Sequence, residues 1–327
     1  MSYRSILYQA WKTTWKNKYL WYFGLFAVLL GNSGGMETII QLLSQQNDTG
    51  FYAGLKAYIA TGIFSATGAQ GFWHFMTTDP LSFIILITVF LIFIVLGVFL
   101  LWLSVVSQAA LVNNSARSAT GKEHDFKHGL QIGIEKFWPT LGLNIVIKIF
   151  VALIVFLVSF PVMLSMGRLS LTFTNSLFII LFVIFVPVVI CVSFILRYAI
   201  CYVVIKDQKI KEAVKNGWKL FIANWLISIE MALALLLINF LVSVALVLIF
   251  LLLSIPILFL AFVFARLSFI FMFWAIIFIA LICFFSLIVF IGASLTTFQT
   301  AGWTSVYIQL IGKGGKSKLA RMFEKKA

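Results

Sequence analysis

The sequence predicts an all-α fold, a polytopic integral membrane helix bundle of about six transmembrane helices in three hairpin units. Apolar residues make up 62% of the 327 residues and charged residues 10%, against about 45–50% and about 25% in soluble domains. The mean hydropathy of +1.09 leaves too little polar surface to cover a water-soluble globule. The few charges lie between long apolar runs, so we expect several helices that cross a bilayer in turn.

The first span begins near the N-terminus. Tyr19–Leu30 offers 12 residues without a charge, about 18 Å of helix, which is shorter than the roughly 30 Å of a bilayer core. The preceding residues Tyr3–Lys18 can supply the missing length as an interfacial helix whose lysines reach the headgroups. We therefore expect residues 1–18 to lie at the membrane interface and to lead into the first span.

Three further apolar stretches are long enough to cross the bilayer once each. A span needs roughly 20 apolar residues, and this length is reached at Leu81–Val112, Leu141–Leu164 and Thr174–Ile205. Pro187 lies in the middle of the last of these, and a proline inside a helix predicts a kink.

The remaining apolar stretch, Trp225–Leu310, is long enough for more than one span. Within it, Arg266 is the only charge after Glu230. Four helices would use about 80 residues and leave none for turns, so this stretch predicts two spans. We place the turn between Ser254-Ile255-Pro256 and Ser268.

The basic residues are distributed unevenly about these spans. Nineteen of the 24 lysines and arginines fall in four segments that six spans place on one side, namely 1–18, 114–138, 206–221 and 313–327. Cytoplasmic loops carry an excess of Lys and Arg, so we expect a multi-pass protein of the plasma (inner) membrane with both termini cytoplasmic. The segment 31–79 is then extracytoplasmic. The basic excess predicts attraction to anionic membrane lipid at the cytoplasmic face and not to nucleic acid.

Short similarities recur along the chain and predict an internal repeat. A shift of 207 residues lays Ala10-Trp11-Lys12 over Gly217-Trp218-Lys219, and the basic-aromatic segment Gly133–Trp138 precedes the third span. Each hairpin unit thus combines an amphipathic lead-in helix with a span going out and a span coming back.

The returning spans share a second pattern, a polar residue followed two positions later by alanine. The pattern occurs at Gln108-Ala109-Ala110, Arg197-Tyr198-Ala199 and Gln299-Thr300-Ala301. One explanation is common descent by duplication, with the lead-in helices kept as interfacial anchors. The other is that the three returning helices meet and that Gln108, Arg197 and Gln299 line a shared polar space.

Two segments carry a resemblance to a known family. Val203–Asp207 followed by Lys211–Leu220 resembles the loop between spans in the membrane domain of bacterial glycerophosphoryl diester phosphodiesterases and related proteins. The closing segment Ala301–Leu310, with Trp303 and Tyr307, is similar to that family's last span. Only 17 residues follow Leu310, so the resemblance implies a membrane architecture and a link to lipid-rich membranes, not hydrolysis.

No motif for catalysis or metal binding stands in the sequence. The patterns H-E-x-x-H and G-x-S-x-G do not occur, and Gly312–Ser317 imitates a phosphate-binding loop without the preceding strand that such a loop requires. The three cysteines lie in apolar runs without metal spacing. We therefore expect no enzyme activity, no catalytic residues, no metal and no cofactor.

Three ionisable residues fall inside the predicted spans and form a candidate intramembrane polar cluster: Lys148, Arg197 and Glu230. Each can lie a few turns from the cytoplasmic interface, and charges at such depth are costly and mark functional sites. The alternative is that the long side chains reach the headgroups and that Glu230 sits in the wet interface. Two functions follow: a non-enzymatic protein that organises lipid or partner proteins, or a transporter or channel for a small amphiphile that uses the cluster.

Overall fold

The computed structural model describes residues 3–28, 66–123, 125–165 and 171–313, and every regular element in them is an α-helix. The helices are numbered here in chain order: α1 Tyr3–Lys16, α2 Leu20–Ala27, α3 Ala66–Thr78, α4 Pro80–Ala119, α5 Phe126–Glu135, α6 Phe137–Ser165, α7 Leu171–Lys206, α8 Ile210–Ala223, α9 Trp225–Arg266 and α10 Ile270–Lys313.

Five of the described helices are long and apolar enough to cross a membrane, namely α4, α6, α7, α9 and α10. The predicted fold class, an all-α helix bundle of membrane type, is therefore confirmed. The predicted first span begins with α2, and its remainder lies outside the described residues, as does most of the segment 31–79. The count of six spans stays a prediction.

The long C-terminal apolar stretch forms two helices, as its length predicts. The turn between them is short: α9 continues to Arg266, and α10 begins at Ile270. Ser268 has a φ of 60°, the left-handed conformation that reverses a chain tightly. Pro256, which we expected at the start of the turn, lies inside α9, because membrane helices accommodate proline where other groups satisfy the freed backbone.

The predicted loops at 114–138 and 206–221 are largely helical. Helix α4 continues to Ala119, and α5 and α8 occupy most of what remains. Helix α5 begins where it does because the Asp125 carboxylate accepts a hydrogen bond from the backbone N–H of Phe126 at 2.7 Å. Of the segment 313–327 only Lys313 is described.

The chain divides into two compact units. The first comprises residues 1–32, 104–145 and 194–327, and the second comprises residues 33–103 and 146–193. In the second unit, the N-terminal part of α4 exposes large apolar side chains over Ile84–Val95, as a lipid-facing helix does.

In the first unit, each short lead-in helix covers the long helix that precedes it in the chain. Helix α5 lies on α4 so closely that a Cβ on Gly133 would overlap the backbone oxygen of Val106. Helix α8 lies on α7 in the same manner, since a Cβ on Gly217 would come within 3.1 Å of the Ile195 oxygen. Small residues at both contacts let the helix backbones approach.

The first lead-in helix, α1, packs on the last long helix, α10. The Trp11 ring of α1 lies 6.3 Å from the Phe298 ring of α10. A Cβ on Gly24 of α2 would overlap the backbone of α10, and the Thr297 hydroxyl donates to the Leu20 carbonyl at 3.2 Å. Within the first unit, each lead-in helix therefore packs on one long helix: α5 on α4, α8 on α7 and α1 on α10.

Candidate functional site

Three helix ends of the first unit are buried on every side. They are Ser104–Val112 of α4, Tyr198–Val204 of α7 and Ala301–Tyr307 of α10, and each residue in these ranges is buried. A run of seven residues covers nearly two turns of helix, so no face of these ends is open. We call them the buried helix ends. Each overlaps or adjoins one of the three polar-x-Ala patterns of the sequence.

The buried helix ends carry many polar side chains for the interior of a membrane protein. Their buried polar residues include Ser104, Ser107, Gln108, Tyr198, Tyr202, Thr304, Ser305 and Tyr307. Buried polar groups require hydrogen-bond partners, so the partners of these side chains define what the site can do.

Gln108 is bonded to an asparagine of the next span. Its Oε1 accepts a hydrogen bond from Asn144 Nδ2 of α6 at 2.8 Å, and the same nitrogen donates to the Thr140 carbonyl at 2.9 Å. Both side chains are buried. The pair therefore joins α4 to α6 through a hydrogen bond that is shielded from water.

Gln299 makes an equivalent pair on the other side of the unit. Its Nε2 donates to Asn239 Oδ1 of α9 at 2.6 Å. The sequence reasoning singled out both glutamines and missed both asparagines. Both asparagines could have been identified in the same way, because an unpaired asparagine inside an apolar span is as costly as an unpaired glutamine.

Arg197 belongs to an aromatic cluster between α7 and α10, formed by Phe194, Tyr198, Tyr202, Trp303 and Tyr307. The Arg197 guanidinium carbon lies 4.9 Å from the Trp303 ring centroid, a cation–π contact. The Tyr202 and Tyr307 rings meet edge to face at 5.0 Å. The Tyr198 hydroxyl and the Ser228 hydroxyl of α9 are 2.7 Å apart.

Two polar atoms at this α10 face, Trp303 Nε1 and the Tyr307 hydroxyl, have no hydrogen-bond partner among the described residues. The buried Thr304 hydroxyl is hydrogen-bonded to the Cys201 thiol of α7. A second group of such atoms lies at the α4 end and on α6: Asn113 Nδ2, Asn114 Oδ1, Ser115 Oγ and Thr140 Oγ1.

The predicted intramembrane cluster is divided between the two units. Arg197 and Glu230 belong to the first unit, where Glu230 is half-buried on α9. Lys148 belongs to the second unit and is exposed. Gln108, Arg197 and Gln299 each contact a different residue, namely Asn144, Trp303 and Asn239. A common site for the ionisable residues, and the polar space shared by the repeat positions, stay predictions.

An ion pair connects two of the loops that the sequence assigned to the basic side. Lys136 Nζ lies 2.6 Å from Asp207 Oδ1 and 3.0 Å from Glu135 Oε1. The hydrogen bond to Asp207 raises the pKa of Lys136 above its usual range, and Glu135 adds to this rise. Asp207 itself has a φ of 55°. The pair ties the α5–α6 junction to the α7–α8 junction.

The lead-in helices α1 and α8 expose basic and aromatic side chains beside their buried faces, and one of these, Trp11, also contacts Phe298 of α10. On α1, Trp11 and Trp15 are exposed beside Lys12 and Lys16, and on α8, Trp218 is exposed beside Lys215 and Lys219. The opposite faces carry the buried residues Ile6, Ala10, Thr14, Ala213, Gly217 and Phe221.

The first turns of α6 and α9 add Trp138 and Trp225, which are also exposed. Tryptophan at these positions is typical of a membrane–water interface.

Neither metal ligands nor similarity to known proteins indicates an activity for the described part of the chain. Among the described residues, no group of three or more His, Cys, Asp or Glu could hold a metal ion. No protein-family model, no curated protein and no solved structure matches this chain. The chain is therefore assigned here only as a multi-pass α-helical membrane protein.

Proposed function

We propose that this membrane protein has no enzymatic activity and organises anionic lipid in the cytoplasmic leaflet of the plasma membrane. The surface responsible is the outward face of the three lead-in helices α1, α5 and α8. The observation that carries the proposal is the two-sided character of these helices. Small and apolar residues bury one side against the long helices, and lysines with tryptophans occupy the exposed side of α1 and α8.

The exposed residue types suit an anionic lipid surface. A lysine or arginine near such a surface contributes about 1 kcal/mol of attraction. The exposed cations on or beside the lead-in helices exceed the four that mark a lipid-binding cluster: Arg4, Lys12, Lys16, Lys18, Lys122, Lys127, Lys206, Lys209, Lys211, Lys215 and Lys219. Tryptophan adds an anchor at headgroup level.

The lead-in helices also hold these cations in fixed positions. Gly133 and Gly217 allow α5 and α8 to approach α4 and α7 at backbone distance, and the Lys136–Asp207 ion pair joins their ends. A preorganised surface loses less conformational entropy on binding than a flexible basic tail does. The arrangement thus favours an ordered lipid annulus over loose electrostatic attraction.

The resemblance to the membrane domain of glycerophosphoryl diester phosphodiesterases is part of the same proposal, because it implies a link to lipid-rich membranes. We also attribute the three lead-in helices to duplication of one ancestral unit. The shared manner in which α5 and α8 pack on the long helix that precedes each of them supports this descent.

Lipid composition around the purified protein tests the proposal. Wild type is compared in nanodiscs of equimolar phosphatidylglycerol and phosphatidylcholine with the variant Lys12→Gln, Lys16→Gln, Lys215→Gln and Lys219→Gln. The matched control carries arginine at the same four positions, which keeps the charge. The lipids released with the protein are counted by native mass spectrometry. We expect enrichment of phosphatidylglycerol in wild type and in the arginine control, and its loss in the glutamine variant. Equal enrichment in all three proteins would overturn the proposal.

A second candidate function is transport of a small amphiphile through Lys148, Arg197 and Glu230. The observation that favours it is the place of Arg197 beside Trp303 in the aromatic cluster, since a permanent charge within a span is costly. Glu230→Gln tests this candidate through native mass spectrometry and flux across proteoliposomes. Loss of a stoichiometric bound molecule or of flux in the variant supports transport. If binding, flux and stability are all unchanged, the charge cluster is excluded.

A further inference from the structure

We propose that the inner end of α9 is covered by the acyl chains of long-chain lipids, which thicken the bilayer locally on this side of the protein. The surface responsible is formed by Leu233, Leu236, Leu237 and Phe240, and we call it the inner α9 face. The inference deepens the proposed function, because it adds a preference for acyl-chain length to the proposed preference for anionic headgroups. It is tested on lipids without net charge, so the two preferences can be separated.

The inner α9 face is apolar, exposed and confined to one side of the helix. Its four side chains are 60%, 48%, 57% and 60% exposed, and their spacing of three and four residues places them on one helix face. The opposite side of α9 is buried against α10, where a Cβ on Gly302 would lie 3.0 Å from Met231 Cε. An apolar surface of this kind is favourable only where another apolar surface shields it from water.

Helices α9 and α10 run side by side from their shared turn to this face. The Phe250 and Phe284 rings are 4.5 Å apart, and Asn239 is hydrogen-bonded to Gln299 at 2.6 Å. The contact of Met231 with α10 continues this series. The number of residues from the turn therefore shows how far along the hairpin a residue of either helix lies.

The apolar part of α9 is too long for an average bilayer. No charged residue interrupts it between Glu230 and Arg266. Leu233 and Leu237 lie 33 and 29 residues before Arg266, the last residue of α9, or roughly 50 Å and 44 Å along the helix. A bilayer core of about 30 Å covers about 39 Å of a helix that is tilted by about 40°, the upper end of the usual range. Both leucines therefore lie beyond an average core even at this tilt.

The first lead-in helix marks the membrane boundary on the other helix of the hairpin. Trp21 of α2 lies 4.8 Å from Phe290, and Trp11 of α1 lies 6.3 Å from Phe298. These α10 residues follow Ile270 by 20 and 28 residues, or roughly 30–42 Å, and tryptophans are typical of the interface with the headgroups. The leucines of the inner α9 face thus lie on the cytoplasmic side of the boundary that α1 and α2 indicate.

Two observations identify lipid as the cover of the inner α9 face. The exposed apolar surface of α9 extends from Phe262 to Leu233 without a charge, so the face is continuous with the surface in the hydrocarbon core. Beyond its cytoplasmic end, α9 exposes Trp225 and α8 exposes Lys215 and Lys219, which suit the headgroups that end an acyl layer. A bilayer accommodates an apolar stretch of excess length by local thickening, and longer acyl chains make this thickening easier.

The lipids that remain with the full chain in native mass spectrometry test the inference. The protein is placed in nanodiscs of equimolar phosphatidylcholines with two 16:1 or two 22:1 chains, which share a headgroup and differ in thickness. The test variant is Leu233→Ser, Leu236→Ser and Leu237→Ser. The matched control is Leu248→Ser, Leu251→Ser and Leu252→Ser, in which exposed leucines of the same spacing lie about 22 Å nearer the turn. Leu237→Ser alone is measured beside them as the mildest change.

We expect the 22:1 lipid to exceed the 16:1 lipid about fivefold around wild type, because mismatch costs a fraction of a kcal/mol for each ångström. The test variant should lose most of this excess, since its apolar face ends near Phe240. The control should keep the excess, because serines within the core do not change where the apolar face ends. Leu237→Ser alone should give an intermediate ratio.

Equal amounts of the two lipids around wild type overturn the inference, as does an undiminished excess in both the test variant and Leu237→Ser. The measured mass also gives the oligomeric state. A dimer of wild type that becomes a monomer in the test variant would identify a second copy as the cover of the inner α9 face, and would overturn the assignment to lipid.

The headgroup preference is separated by the glutamine variant of the four surface lysines, which should keep the excess of 22:1 lipid. Absence of phosphatidylglycerol enrichment in wild type would refute only the proposed headgroup preference. Equal uptake of the two phosphatidylcholines, with phosphatidylglycerol enrichment intact, would refute only the preference for chain length.

Discussion

Replacing Gly133 with alanine should weaken the attachment of the lead-in helix α5 to α4. A Cβ at this position would overlap the backbone oxygen of Val106 and would lie 2.9 Å from Val106 Cγ1. A backbone oxygen inside a helix cannot turn aside as a side chain can, so α5 itself must move outward. Gly133→Ala therefore tests whether close backbone approach holds the lead-in helix.

The magnitude follows from two opposed effects. Alanine in place of glycine favours helix by about 1 kcal/mol, and an additional methyl group in a packed contact costs about 1–3 kcal/mol. The helix gain can be removed by comparison with Gly292→Ala on α10, where a Cβ would have nothing within 4 Å. The difference between the two variants is then the packing cost itself, about 1–3 kcal/mol.

Gly217→Ala gives an intermediate step. A Cβ there would lie 3.1 Å from the Ile195 oxygen and 3.2 Å from the Ala199 nitrogen, which small shifts can relieve. Reversible unfolding in mixed micelles of increasing dodecyl sulfate content gives the free energy of each variant. We expect Gly133→Ala to be least stable, Gly217→Ala intermediate and Gly292→Ala most stable. Equal stability of all three would refute the reasoning that backbone approach is what these glycines provide.

Two further predictions concern buried and peripheral polar pairs. Gln108→Leu leaves Asn144 Nδ2 without its 2.8 Å acceptor and should lower the free energy of unfolding by about 1–3 kcal/mol. The double variant with Asn144→Leu should lose less than the sum of the two single losses. Additive losses would show that the pair does not interact. Asp207→Asn keeps a residue that tolerates positive φ and removes the charge beside Lys136, so it should cost at most about 1 kcal/mol because Asp207 is exposed. The hydrogen bond to Asp207 raises the pKa of Lys136 above its ordinary value, so this cost should be fully present below about pH 10 and vanish as the pH rises through the raised pKa. A cost that already disappears between pH 7 and 9 would contradict the role of Lys136.

The membrane helices could be predicted from the sequence because lipid imposes one simple rule. Apolar length decides whether a segment can span, and the stretches at α4, α6 and α7 fulfil this rule without any tertiary information. The division of the C-terminal stretch into α9 and α10 also follows from length. The position of their turn does not follow from length, because Pro256 and Ser268 are equally good turn signals in the sequence. A membrane helix can continue through a proline when neighbouring groups satisfy the freed backbone.

The candidate site could be predicted only in part, because its contacts join residues that are far apart in the chain. Gln108 and Gln299 stand out as polar residues in apolar helices, but their partners Asn144 and Asn239 depend on which helices are neighbours. The same holds for Lys136. Its charge helped to predict which side the loop occupies, whereas its pairing with Asp207 depends on how two loops, 71 residues apart, come together.

The packing of α1 and α2 on α10 has a consequence for the order of assembly during translation. The hydrogen bond from Thr297 to Leu20 joins residues 277 positions apart. At about 5–20 residues per second, the ribosome needs roughly 14–55 s to add this length of chain. For that time the faces of Trp11 and Gly24 that will meet α10 have no permanent partner. The nascent protein thus presents an incomplete surface throughout its insertion, and that surface is what a membrane chaperone or a quality-control protease would recognise.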